Sequence, residues 1–205
     1  GGRGLAWVAA DRSVRWFDRE SGVERVFPAS TENAFALSFS PAGDRLLLVE
    51  SLRCAAYTWP GGELLWERAG QFSPCQGAWH PDGARVAIGL EGRNDILLCD
   101  AASGQAEEFL SGHTLHPRFL RFGPDGEWLY SIAWDGLLKV WHARTGEAVF
   151  TTSAYPCALG ISADGRQLAY GIDTSQVAIA SIEHGGFSAS FPARKTPTAS
   201  CAIWP

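Results

Sequence analysis

Between positions 113 and 135 the chain places His113, Ser131 and Asp135, the three residue types of a nucleophilic hydrolase. In such a triad the serine attacks, the histidine takes its proton and the aspartate orients the imidazole. The local sequence argues against that use. Ser131 falls inside the alternating run Trp128 to Ala133, whereas a catalytic serine is presented on a tight turn such as G-x-S-x-G. His113 and His116 have the spacing of a metal-binding pair, but Pro117 directly after them disfavours the helix that would align both rings. The five cysteines, Cys54, Cys75, Cys99, Cys157 and Cys201, include no CxxC pair and lie mostly in apolar runs, as small buried hydrophobes do. Neither a metal site nor a cofactor is expected.

The elements holding these residues are strands. In "GPDGEWLYSIAWDGLLKVW", from Gly123, Pro124-Asp125-Gly126 is a turn because proline presets φ, aspartate bonds its own backbone and glycine tolerates φ > 0. Asp135-Gly136 is the second turn and makes Leu137 to Trp141 the return strand of a hairpin. The same turn recurs in "FSPAGDRLLLVE", "WHPDGARVAIGL" and "ISADGRQLAYGI". Its glycines, Gly43, Gly83, Gly126 and Gly165, are 40, 43 and 39 residues apart, the period of a four-stranded propeller blade.

Alignment on these glycines gives each unit four strand-length runs with period-2 alternation, and polarity rises from the first run to the fourth. The first should therefore line a shared axis and the fourth face solvent. Joining Pro205 to Gly1 yields "IWPGGRGLAWVAAD", which superimposes without a gap on "FGPDGEWLYSIAWD". Counted through that junction, the spacings are 41, 40, 43, 39 and 42 and exhaust the 205 residues. The expected fold is all-β: one β-propeller of four-stranded antiparallel blades, with five blades closed by pairing of the N- and C-terminal strands. Its units are 199–205 with 1–30, 31–70, 71–111, 112–152 and 153–198. A five-blade remnant of a larger ring is the other arrangement, and it would leave apolar blade faces open.

The fourth unit carries Gly112-His113, Pro124-Asp125-Gly126, Asp135 and Val140-Trp141 in the order of a WD repeat, and the chain resembles WD-repeat (WD40) β-propellers. At the Trp141 position the other units hold Phe17, Tyr57, Cys99 and Ile179. The resemblance implies a structural hydrogen-bond network: Trp141 donates to Ser131, Ser131 to His113, and His113 to Asp135. A hydroxyl so engaged has little freedom to attack a substrate, so no catalytic residue is assigned.

A net charge of −5, without a basic cluster longer than Arg194-Lys195, argues against a nucleic-acid partner. No run approaches the roughly 20 apolar residues that span a bilayer, so no membrane partner is expected. The absence of methionine, even at position 1, suggests a domain cut from a longer polypeptide; a reduced, cytoplasmic setting is the default expectation. A closed ring would be monomeric. Propeller glycosidases need carboxylates at the axis, but the innermost runs begin at Phe35, Cys75, Arg118, Cys157 and about Ala199, none acidic.

The expected function is therefore recognition: a non-catalytic scaffold for a protein or peptide. WD-repeat domains typically bind on the face where first strands begin and second and third strands connect. Here that face collects Asn33, Phe35, Ser73, His116, Arg118, Trp134 and Tyr155, aromatics and an arginine suited to a hot spot. Phe35 and Tyr155 could instead plug the axial channel. The alternative function is a lectin-like propeller for small ligands or glycans, which should repeat similar pocket residues in every blade; the loops differ from unit to unit.

Overall fold

The computed structural model describes residues 4–11, 13–27, 34–70 and 73–182. Among them are eighteen strands in five antiparallel sheets and no helix. The first sheet holds β1 (Gly4–Val8), β2 (Val14–Asp18) and β3 (Glu24–Phe27). The second is β4 (Ala34–Phe39), β5 (Arg45–Glu50), β6 (Arg53–Thr58) and β7 (Leu64–Ala69). The third is β8 (Ser73–Trp79), β9 (Arg85–Glu91), β10 (Ile96–Asp100) and β11 (Ala106–Leu110). The fourth is β12 (Pro117–Phe122), β13 (Trp128–Ala133), β14 (Leu137–His142) and β15 (Ala148–Ser153). The fifth is β16 (Tyr155–Ile161), β17 (Gln167–Gly171) and β18 (Val177–Ser181).

Each sheet is a simple meander, strand beside strand in chain order, because short turns set each strand antiparallel to the last. The recurring turn shows why. Gly126 sits at φ 74°, its N–H donates to Gly123 O at 3.0 Å, and Asp125 Oδ1 accepts from Glu127 N–H at 3.0 Å. Gly43, Gly83 and Gly165 adopt φ of 71–72° at the same place, a region costly for any residue with a Cβ.

Side-chain alternation lets each middle sheet pack on both sides. On β5, Leu46 and Leu48 turn toward the first sheet, joining Val14 and Phe27, while Leu47 and Val49 join Val86, Ile88 and Leu90 of the third. On β13, Leu129 faces the third sheet with Leu98 and Leu110, while Tyr130 and Ile132 face the fifth with Leu168 and Tyr170. Four apolar clusters thus glue five sheets in sequence, and each fully buried aliphatic side chain contributes about 1.5–3 kcal/mol. First strands meet across the sheets, β4 against β8, β8 against β12 and β12 against β16, which makes them the inner wall.

Burial departs from the simple gradient expected from polarity. It peaks in the second and third strands, as in β5, β9 and β10, rather than in the first; in β12 only Pro117 and Leu120 are buried. Inner-wall strands have one side on the axis, whereas second strands are covered by sheets on both faces. The fourth strands β7, β11 and β15 are largely exposed, as expected. A second departure concerns phase in the fifth sheet. Leu168, the counterpart of Leu129, pairs with Ala180, so the Trp141 position there is held by buried Ala180 and not by half-exposed Ile179.

Polar stitches supplement the clusters on the face carrying the recurrent turns. Arg45 donates to Gly83 O (2.9 Å) and Arg85, its counterpart one blade on, to Ala143 O (2.8 Å). His80 Nε2 lies 2.9 Å from Gly126 O. The outward faces of the end sheets differ: Leu5 (66% exposed), Trp7 and Phe17 on one, Val177 and Ile179 (50%) on the other. The expected pairing of 201–205 with β1, and the fourth run of the last unit, lie outside the described residues.

Candidate functional site

The four residues of the implied network lie in one buried chain inside the fourth sheet. Trp141 Nε1–H donates to Ser131 Oγ at 2.8 Å, and Ser131 Oγ lies 2.7 Å from His113 Nε2. His113 Nδ1 is 2.8 Å from Asp135 Oδ2. A carboxylate only accepts, so Nδ1 carries the imidazole proton and Nε2 accepts from the serine hydroxyl. Asp135 also accepts from Thr114 N–H (2.9 Å) and Leu137 N–H (3.0 Å). Burial is the main influence on His113 and lowers its pKa, against the opposing pull of the Asp135 carboxylate.

This arrangement has little chemistry to offer a substrate. Ser131 is fully buried, with its oxygen committed on both sides. The thiols of Cys54 and Cys75 are pushed up to about 12 and that of Cys99 to about 11, chiefly by burial, so they stay protonated near neutrality. Among the described residues no group of three or more His, Cys, Asp or Glu side chains could hold a metal ion.

What the network does is hold two loops together. One enters β12 and carries Thr114, Leu115 and His116; the other joins β13 to β14 and carries Trp134. Through Asp135 the loops are pinned at His113 and Thr114, and Trp134 N–H adds a bond to His116 O at 3.2 Å. The exposed products are aromatic. Trp134 is 47% exposed, and its ring meets that of His116 edge-on, centroids 6.3 Å apart. The Arg118 guanidinium lies 5.8 Å from the Trp134 ring centre, within cation–π range.

Arg118 owes its position to a β-bulge. Pro117 pairs with Ala133 and Phe119 with Ile132, leaving Arg118 as the extra residue. A one-residue insertion occurs likewise at Phe35 and at Cys75, whereas β16 carries three unpaired residues, 156–158. Tyr155, 40% exposed, joins this rim because Ala154 N–H donates to Gly136 O at 2.8 Å. Ser73 stands on the neighbouring sheet, paired with Glu91, and no described contact brings it to the Trp134 corner. Asn33 and the Phe35 side chain lie outside the described residues. Two rim residues escape a reading of motifs: Leu115 and Ile172, both exposed. An apolar residue isolated in a polar loop is the signal that marks each.

Comparison with known proteins fits this architecture. The family described as "WD domain, G-beta repeat" matches residues 104–142, which run from the edge of β11 to the end of β14. The periodic tryptophan protein 2 homolog of Neurospora crassa is 29% identical over 103 residues, half of this chain and 11% of that protein. The WD repeat-containing protein SL1-17 of Schistosoma mansoni is 36% identical over 73 residues, 35% of this chain and 23% of its own length. Each match thus spans less than a quarter of the relative. The β-propeller domain of Myceliophteria thermophila Cps50 (Swd1) superimposes with a TM-score of 0.78 at 17% identity, covering 93% of this chain and 67% of that domain. With its inner-wall strands and meandering sheets the chain folds as a β-propeller, and between residues 104 and 142 it is similar to the WD repeat.

Proposed function

We propose that this propeller is a protein-interaction scaffold that takes a peptide segment of its partner on the rim around Trp134. WD40 propellers in general serve protein–protein association, which supports the coarse reading. The observation that carries the finer one is the exposed corner of Trp134, His116 and Arg118. Aromatic and guanidinium groups bury large areas while keeping polar handles, the composition of binding hot spots. Backbone bonds and the buried network fix the loops beneath, so little ordering cost falls on binding. The surface is composite, since only the fourth blade among the described ones carries this set.

The test is display of a random linear peptide library against the full chain, scored for wild type, Trp134→Ala and Arg166→Ala, the last an exposed residue on the opposite rim. Binding peptides lost on Trp134→Ala and kept on Arg166→Ala support the rim. Equal loss from both variants, or from neither, rejects it.

A further inference from the structure

We propose that the Arg118–Trp134 corner is a subsite for the carboxylate of an aspartate or glutamate side chain, flanked in the bound peptide by an apolar residue that lies over Trp134 and Tyr155. This rests on the rim being the recognition surface. The four described inner-wall strands, β4, β8, β12 and β16, contain only two charged residues, Arg118 and Arg121, both cationic and both on β12. Charge on the inner wall is therefore of one sign and concentrated in one blade.

Arg118 is exposed and makes no ion pair or side-chain hydrogen bond among the described residues. Its guanidinium rests between the Phe119 and Trp134 rings, 5.8 Å from each centre, an arrangement that steadies the side chain and leaves its N–H edge to a ligand. The Asp135 carboxylate, on the loop of Trp134, is engaged by His113 and two backbone N–H groups, and Glu91 on the neighbouring blade makes no ion pair with Arg118 among the described residues. A planar fork without an acceptor is matched best by a planar anion with two oxygens.

The local charge balance selects a carboxylate over a phosphate. Phosphate recognition draws on a cluster of cations, but this corner offers one. Glu91 on the neighbouring blade, exposed, lies close enough to Cys75 to oppose the influence of Arg118 on the same thiol. A dianion beside Arg118 would meet that repulsion in full, whereas a monoanion meets half of it. The apolar flank follows from the surroundings: exposed Trp134, Tyr155, Leu115 and Ile172 frame the corner.

The experiment is a pair of peptide libraries, one unmodified and one with phosphoserine at each position in turn, selected against the full chain as wild type, Arg118→Gln, Arg118→Lys and Trp134→Ala. Wild type should enrich Asp or Glu at one fixed position beside Leu, Ile, Phe or Tyr. Arg118→Gln should remove that preference and weaken the best peptide about tenfold or more, with Arg118→Lys recovering part of it. An unaltered melting temperature in both Arg118 variants excludes misfolding as the cause. Three results would overturn the assignment: no acidic preference in wild type, the same acidic preference in Arg118→Gln, or preference for phosphoserine over glutamate. If peptides still depend on Trp134 in any of these cases, the rim survives and only the carboxylate subsite falls. If neither Trp134→Ala nor Arg118→Gln alters binding, both fall.

Discussion

The two interfaces on either side of the third blade solve one packing problem with opposite residues. Between the second and third blades, the third-strand position holds small Cys99, and the volume is filled by Trp66 from the outer strand of the second blade. The Trp66 indole lies over Gly104, where a Cβ would stand 2.5 Å from the ring, and its N–H donates to Ala101 O at 3.0 Å. Between the third and fourth blades the outer strand offers Glu108, which sits over Gly146 as Trp66 sits over Gly104. There the indole comes from Trp141 instead, packed among Leu98, Leu110 and Leu129. Trp79 adds a second indole to the interface of the second and third blades, donating to Ser38 O at 2.9 Å. Close packing is thus reached there with two indoles from different strands, and at the next interface with Trp141. The second difference is polar: blade four answers the Trp141 N–H with Ser131 and His113, while blade three has Ile88 where Ser131 would be and offers the Trp66 N–H of the second blade only the Ala101 backbone carbonyl.

Trp141→Ala and Trp66→Ala break this equivalence most directly. Each should cost about 3–5 kcal/mol, since each empties an indole-sized volume. Chemical denaturation of both variants checks it; a Trp66 variant as stable as wild type would mean that Cys99 needs no partner of that size. A smaller effect separates the polar blade from the apolar one. Ser131→Ala should cost about 1–3 kcal/mol, because the Trp141 N–H and His113 lose their shared partner in a buried place. Ile88→Val, at the matching position, should cost about 0.5–1.5 kcal/mol by loss of one methyl group alone. Reversal of that order would show that the hydroxyl serves packing rather than hydrogen bonding.

The smallest effect is a pH dependence. Burial holds the His113 pKa below its ordinary value, so the unfolded chain binds a proton more readily than the folded one. Stability from this group is complete above the unfolded value of about 6.5 and is lost as pH falls below it toward the folded value. Melting temperature measured from pH 7.5 to 5.5 should decline in wild type, and less in His113→Gln relative to its own pH 7.5 value. Parallel slopes would assign the decline to other groups.

Much of this fold was legible because its punctuation is chemical. The turn glycines at Gly43, Gly83, Gly126 and Gly165 must sit at positive φ, so they mark the same point of every blade, and the strands follow from alternation. The rim was partly legible: His116, Arg118 and Trp134 flank the markers His113 and Asp135, and the loops that carry them are the ones this buried pair ties together. Other features were hidden for physical reasons. The exchange of Trp66 for Trp141 involves residues on different blades, brought together only by folding. Ala180 was mistaken for Ile179 because the connection before β18, Ile172 to Gln176, is longer than Trp134 to Gly136 and contains no turn glycine to fix its phase. Bulges leave no trace in alternation when a single residue is inserted near a strand's first position.

Those inserted residues carry a consequence of their own. A side chain in a regular ladder answers to a neighbour on each flank, so its replacement disturbs two interfaces. The residue inserted near the head of β4, β8 and β12 has no partner across its ladder, and the three blades fill that position with phenylalanine, cysteine and arginine. Arg118 can therefore be exchanged without disturbing a ladder partner, whereas Cys75 still ties its blade to the next through the Pro117 carbonyl, 3.0 Å from its thiol.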